Sequence, residues 1–415
     1  MKAAYKHIIL LITVHLFASG IMQGQTLNKY LKDAGENHPE LQAAYHEYHA
    51  ALEKVPQVGA LPDPKLSFGY FISPVETRLG PQQLKISVSQ MFPWFGTLKE
   101  QEKAAAEQAR IQYQQFVNLK NQIYQEVKSQ WYEMYKTQQA IHIIKENLGI
   151  LNSLKNLSRR NYETGKSQMA DVLRTKVNIR EQENKLEDLK EKLSTQKTEF
   201  NLLLNRSKND SIRVPGNIQP DTFDTMAYRD SIRNNPGLTA LSHKKTALEH
   251  QYEADRKKGY PNLSLGLDYA IIGKRQDMQV NNSGRDVVMP MVGISLPLNR
   301  KKYDAMKKET SLKLQAVQSE QQDRLNTLSA RYKKAEEKYL DAIRKVDLYK
   351  KQIEETEKIY RLLKTNYSTD GENFFELLRT QLMVQEYKLK LRQAIANQNI
   401  AVSKLEYLTN QNQTQ

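Results

Sequence analysis

The sequence contains no cysteine. Disulfides, thiolate metal centres and thiol nucleophiles are excluded by that alone, and so is a lipid anchor on an N-terminal cysteine. Glycine and proline are scarce, at 17 and 13 of 415 residues. A chain with so few turn-makers and so much Ala, Glu, Lys, Leu and Gln suits long helices better than a compact mixed fold. Long apolar runs are missing too: beyond the first residues, no stretch approaches the roughly 20 apolar positions of a membrane-spanning helix. No nucleophile–base arrangement, metal-ligand spacing or phosphate loop is legible, so neither an enzyme nor a cofactor is expected. The 8 His and 11 Met form no ligand cluster of recognisable spacing.

Charge is abundant and unbalanced. Lys and Arg number 62 against 47 Asp and Glu, a net charge of +15. The two signs are interspersed along helix-like stretches, the pattern of solvated helix faces rather than of a nucleic-acid surface, and no nucleic-acid partner is expected.

The first residues, MKAAYKHIILLITVHLFASGIMQGQ, have the form of an export signal. Lys2 and Lys6 supply the positive end, Ile8 to Phe17 the apolar stretch, and small residues follow at Ala18-Ser19-Gly20 and Gly24. Residues 1–24 are assigned to it, with cleavage after Gly20 or after Gly24.

The rest of the chain is written twice. "NHPEL" (Asn37 to Leu41) returns as "NNPGL" (Asn234 to Leu238), and "PKLSFG" (Pro64 to Gly69) as "PNLSLG" (Pro261 to Gly266), both displaced by 197. "NYETGKSQMADVLRT" (161–175) returns as "NYSTDGENFFELLRT" (366–380), displaced by 205. Two structural repeats, 25–205 and 225–415, are expected on either side of a linker at 206–224, where Pro215, Gly216 and Pro220 cluster. Each repeat begins with a helical stretch, about 27–57 and 224–257, followed by two alternating segments, a long helix, a short break and a last helix.

The alternating segments are strands at 64–73, 83–92, 261–272 and 287–297. Leu66, Phe68, Tyr70 and Ile72 share one face, with Lys65, Ser67 and Gly69 on the other. Leu84, Ile86 and Val88 repeat the pattern, as do Leu263, Leu265, Leu267, Tyr269 and Ile271, and Val292, Ile294 and Leu296. Pro290 cannot donate to a ladder, which favours a strand beginning after it. Residues 73–82 and 273–286 read as hairpin loops. Each run has the length of a transmembrane β-strand, about ten residues. Four strands cannot wall off a pore, and an open edge in lipid leaves backbone groups unpaired. Several copies must therefore share one barrel, two giving eight strands and three giving twelve. The "MFPWFGT" stretch (91–97) stands where a strand gives way to a helix. Phe92, Trp94 and Phe95 there have the character of a membrane-interface belt, and Pro93 and Gly96 let the path change.

The helices are long. No Gly or Pro interrupts 97–148 or 301–370, which is enough for roughly 80–100 Å of helix each. Leu325, Tyr332, Tyr339, Val346, Ile353 and Tyr360 fall seven apart, and Leu328, Ala335, Ala342, Tyr349, Thr356 and Leu363 follow three residues on, a heptad seam. Shorter series run through Val127, Met134, Ile141 and Leu148, through Val172, Ile179, Leu186, Leu193 and Phe200, and through Leu377, Val384, Leu391, Gln398 and Leu405.

With these parts in order, the sequence resembles the TolC-type outer-membrane efflux family. The doubled architecture, the "NHPEL" start, the corner "SQMFPWFGTLKEQ" and the turn "GKSQMADVL" carry the resemblance over almost the whole mature chain. The resemblance implies a mostly α fold with β: long α-helical barrel or coiled-coil hairpins, plus four transmembrane β-strands per chain closing as a 12-stranded barrel in a homotrimer. It implies a passive duct in the outer membrane of a Gram-negative bacterium, bathed in outer-membrane lipid. Its partners would be a periplasmic adaptor and an energised inner-membrane pump of the RND type. It places the periplasmic tip at 160–175 and 365–380, with turns at 160–171 and 365–376. There Asp171, six residues after Gly165, and Glu376, displaced by 205, stand for acidic gate residues, with Arg174 and Arg379 able to pair with them. The same residues read alone are helix N-terminal acids. Arg160, Tyr162, Gly165, Tyr367 and Gly371 are the expected adaptor-docking positions. The "FPWFGTL" corner also looks like members serving heavy-metal efflux. An exported coiled-coil scaffold or adhesin without a pore is the alternative, and it leaves the four lipid-length strands unexplained.

Overall fold

The computed structural model describes residues 27–411; the export signal at 1–24 lies outside them. A helix at 27–37 (α1) stops at His38, and α2 spans Pro39–Gly59. Strands β1 (Lys65–Thr77) and β2 (Gly80–Phe92) follow, then helices α3 (Thr97–Glu163) and α4 (Met169–Leu203). After a 3-10 turn at Asp230–Asn234 come α5 (Pro236–Lys258), β3 (Asn262–Ile272), β4 (Val287–Ser295), α6 (Arg300–Asp370) and α7 (Phe374–Thr409). Among the described residues no helix is long and apolar enough to cross a membrane.

The recurring "NHPEL" and "NNPGL" motifs are helix starts. Pro39 and Pro236 occupy the first helical position, where the missing N–H is unpaired in any helix and the fixed φ is already helical. They also correct the expected boundaries: the stretch 27–57 is split at His38, and the second helical stretch begins at Pro236 rather than 224.

The chain divides into two compact units, and each draws on both sequence halves. One unit comprises 44–116 and 237–324 and contains the sheet. Its order is β1-β2-β3-β4, antiparallel throughout. Three boundaries differ from expectation by more than one residue. β1 runs on to Thr77 and β2 starts at Gly80, so the segment 73–82 is mostly strand, with a register shift between Tyr70 and Val75 absorbing the irregularity. β4 ends at Ser295 and includes Pro290, which lies opposite Leu267. β4 is an edge strand of this sheet, the place where a proline's lost donor costs least.

The other unit comprises residues up to 43, 117–236 and 325 onward. Here the heptad positions are the core: Val127, Met134, Phe200, Leu328, Leu377 and Leu405 are almost fully buried, and so are Tyr332, Tyr339, Ala342 and Val346. The stripes are narrow, and the faces between them stay wet. Polar seam positions are paired with one another. Asn147 donates from Nδ2 to Gln385 Oε1 at 2.7 Å and accepts at Oδ1 from Gln381 Nε2 at 2.8 Å. Buried amides of this kind fix one alignment of α3 against α7, because any slip leaves them unpaired.

The stretch read as a linker is a strap. Ile212, Val214 and Ile218 are buried, and helix side chains satisfy its backbone. Gln139 donates to the Gly216 carbonyl at 2.7 Å, Asn399 accepts from the Asp221 N–H at 2.7 Å, and the Phe223 N–H donates to the Tyr339 hydroxyl at 2.8 Å. The Tyr332 hydroxyl donates to the Thr225 carbonyl at 2.7 Å. Two seam tyrosines thus serve the core with their rings and the strap with their oxygens.

Candidate functional site

The sheet inverts the usual burial of a soluble protein. Residues directly opposite on its apolar face are Leu66 and Val88, Phe68 and Ile86, Ile86 and Tyr269, Val88 and Leu267, Leu265 and Val292, and Leu263 and Ile294. That face is the exposed one: Ile72 is 91%, Tyr70 75% and Val292 74% accessible. The polar face carries Lys65, Ser67, Lys85, Ser87, Asn262, Ser264 and Asp268, and there Lys85 and Asp268 form an ion pair across β2 and β3. Soluble sheets bury the first kind of face and wet the second. This sheet presents the apolar one, and its two outer strands each keep an unpaired edge within the chain.

At the end of β2 the aromatic corner is built as a small stack. Trp94 lies against Tyr260 with ring centroids 5.2 Å apart and 26° between planes, and Phe95 meets Trp94 edge-on at 5.9 Å. The Trp94 N–H donates to Asn262 Oδ1 at 3.3 Å, tying the corner to the start of β3. Gly96 has φ +77, and the Lys257 amine lies 2.8 Å from where a Cβ would stand, so the turn into α3 is a glycine position on both counts. Phe95 is 76% exposed and sits just beyond the apolar face, as an interfacial ring does.

Within the helical unit, the α3–α4 and α6–α7 turns pack on each other. Gly165 (φ +72) closes the first, with its N–H on the Tyr162 carbonyl at 3.0 Å and that of Lys166 on Asn161 at 2.8 Å. Gly371 (φ +76) closes the second, and a Cβ on it would meet the Lys166 carbonyl oxygen at 2.2 Å. Asn161 donates to the Tyr367 carbonyl at 2.9 Å and Lys166 to that of Thr369 at 3.2 Å. Beneath them Leu151, Leu154, Ile179, Tyr367, Phe374, Leu377 and Leu378 form one cluster.

A family model described as outer membrane efflux protein matches residues 30–206. No curated protein sequence matches the chain. Among solved structures, the outer membrane protein VceC of Vibrio cholerae is 15% identical with a TM-score of 0.76, covering 93% of this chain and 96% of its own. The MtrE outer membrane channel of Neisseria gonorrhoeae is 13% identical, with a TM-score of 0.74 and coverage of 92% and 88%. The CmeC outer membrane channel of Campylobacter jejuni is likewise 13% identical, at 0.72, with coverage of 92% and 85%. The likeness in fold to these outer membrane proteins therefore extends beyond the residues that the family model matches.

The acidic positions lie in the first turns of α4 and α7. Each pairs loosely with the arginine three residues on: Asp171 with Arg174 at 3.7 Å and Glu376 with Arg379 at 3.8 Å. Asp171 is buried, and burial pushes its carboxyl above the ordinary 3.8, against the opposing pull of Arg174 and of the backbone at Gln168. Glu376 is exposed.

Arg160 and Tyr162 are exposed on the last turns of α3, and Gly165 is open on all sides. Tyr367 and Gly371 are not docking positions. Tyr367 is fully buried in the cluster and Gly371 is walled by Lys166, so neither offers a surface. Sequence reasoning missed Asn161, Tyr260 and Phe375. Phe375 is 57% exposed and its ring lies 5.8 Å from the Arg174 guanidinium. Tyr260 carried a legible signal, an aromatic next to Pro261 at a strand start; the bond from Asn161 to the other hairpin carried none.

Proposed function

We propose that the chain is the outer-membrane exit duct of a tripartite efflux system, passively conducting substrate after docking to a periplasmic adaptor and an inner-membrane pump. The exposed apolar face of the four-stranded sheet carries this reading. In lipid that face gains the burial it lacks in water, and the polar face becomes the lining of a pore. The open edges of β1 and β4 close only through other copies; three copies give twelve strands, a homotrimer. The helical unit then supplies the periplasmic wall, and the paired hairpin turns supply its tip. Asp171 and Glu376, repeated by symmetry, make acidic rings there that favour cations. Arg160, Tyr162 and Gly165 are the exposed part of the docking turn. The "FPWFGTL" corner, with its likeness to members serving heavy-metal efflux, fits metal or drug cargo.

The decisive experiment is reconstitution of the purified protein into planar bilayers. Discrete single-channel currents are expected, with the protein extractable only by detergent and migrating as a trimer. A monomer soluble without detergent and carrying no current would return the chain to the scaffold class. Asp171→Ala with Glu376→Ala is expected to change conductance and to lower cation selectivity; unchanged values would remove the two acids from the gate.

A further inference from the structure

The three methionines of the sheet all lie on one face, and it is the polar one. Met91 is opposite Ser264, Met289 opposite Asp268 and Met291 opposite Gly266. The paired positions of the apolar face are Leu, Ile, Val, Phe and Tyr with Gln90 and Pro290, and hold no methionine. A methionine used as a lipid-facing hydrophobe belongs on that apolar face. These stand instead on the face of serine, glycine, asparagine, lysine and aspartate, where Val287 opposite Ala270 is also apolar, and Met91 and Met289 are 41% and 46% exposed there.

We propose that Met289 and Met291 form a transit site for a soft monovalent cation, Cu+ or Ag+, on the lumen face of the barrel. The inference rests on the duct reading, which makes the polar face the lumen. The two residues are separated by one position on the same strand, so their Cα atoms are about 7 Å apart, a gap two flexible thioethers can bridge around one ion. Met291 reaches toward β3: its methyl carbon lies 3.4 Å from the point where a Cβ on Gly266 would stand, and the missing side chain leaves the thioether its room. Asp268 beside Met289 is already paired with Lys85, so the neighbourhood presents no free carboxylate to attract hard cations. What remains is neutral sulfur, which prefers Cu+ and Ag+ over Mg2+, Ca2+ or Zn2+. Among the described residues no group of three His, Cys, Asp or Glu is placed to hold a metal, so harder ions have no competing cage. Two thioethers bind weakly, and weak binding is what conduction needs: an ion must enter the site and leave it. The ion changes neither charge nor oxidation state in passing.

The test is single-channel recording of the full-length protein in planar bilayers bathed in potassium nitrate, with silver nitrate as the probe. Silver should reduce the potassium current reversibly, and Zn2+ at the same concentration should not. In a Met289→Leu, Met291→Leu double variant the conductance without silver should be unchanged, while half-block should need at least about tenfold more silver. Met91→Leu, on the far side of β3, should leave the half-block concentration where it is. If the double variant does not insert, Met289→Leu alone decides by the same shift. Equal half-block in wild type and variant, or current indifferent to silver, overturns the soft-cation site and leaves the duct intact. Absence of any current in the wild type overturns the duct and the site together.

Discussion

Gly165 and Gly371 occupy equivalent turns, yet their surroundings assign them different costs. Both have positive φ, but only Gly371 faces a backbone oxygen at 2.2 Å from its would-be Cβ. Gly165→Ala should cost about 1 kcal/mol, the left-handed penalty alone. Gly371→Ala must also push the Lys166 backbone aside and should cost about 3 kcal/mol or more. Amide exchange at Lys166 and Leu377 is the readout, with faster exchange confined to the second variant. Asp171 gives the same region a pH dependence. Its carboxyl lies above the ordinary 3.8 because burial penalises the charged form. The folded turn therefore holds the proton more firmly than the unfolded chain does. The stability of this turn is highest below the ordinary value and falls as pH rises through the raised one. Protection of the Thr175 amide should decline over that window in the wild type and stay flat in Asp171→Asn.

At the scale of elements, strands and seams were legible because each has a period: two for β1 to β4, seven for the long helices. Boundaries were less so, for identifiable reasons. Pro290 suggested a later start for β4, and only the order of the sheet shows that it lies on an edge strand. The Pro, Gly, Asn and Asp of 206–224 announce irregular backbone, and irregular backbone is what forms. Nothing local announces that Gln139, Tyr339 and Asn399, far away in sequence, will satisfy it. Tyr339→Phe keeps the seam ring but removes the acceptor of the Phe223 N–H, which lies at 2.8 Å. It should cost about 1–3 kcal/mol, seen as faster proteolysis within the strap with helix content unchanged. On the sheet, Val292→Arg places a charge on the face that the duct reading sets against lipid and should cost about 2–4 kcal/mol of insertion free energy. Vesicle flotation measures this, with Ser264→Arg on the opposite face as the tolerated control.

Over the whole molecule, the doubled sequence suggests two halves, but each compact unit takes segments from both. The repeat is a record of how the chain is written, not a line along which it can be cut. Residues 1–205 and 225–415 expressed separately should each fail to fold. Produced together they should recover part of the native helix signal, measured by circular dichroism after co-purification. The hairpin turns were legible to the extent that their residues repeat: Asp171 and Glu376 stand in the first turns of α4 and α7. Tyr367 was misread because a buried aromatic and an exposed one look alike when only spacing is visible. Asn161 went unnoticed because its partner lies on the other hairpin, in the other repeat.

The two bare strand edges have a genetic consequence. Under the three-copy assembly proposed above, every molecule contributes to two of the three joints, so one defective copy spoils a ring whose other members are sound. When wild-type and edge-defective alleles are expressed in the same cell, intact assemblies should fall as the third power of the sound fraction. A lesion in β1 or β4 is then dominant over the normal gene, whereas one that prevents export altogether is recessive.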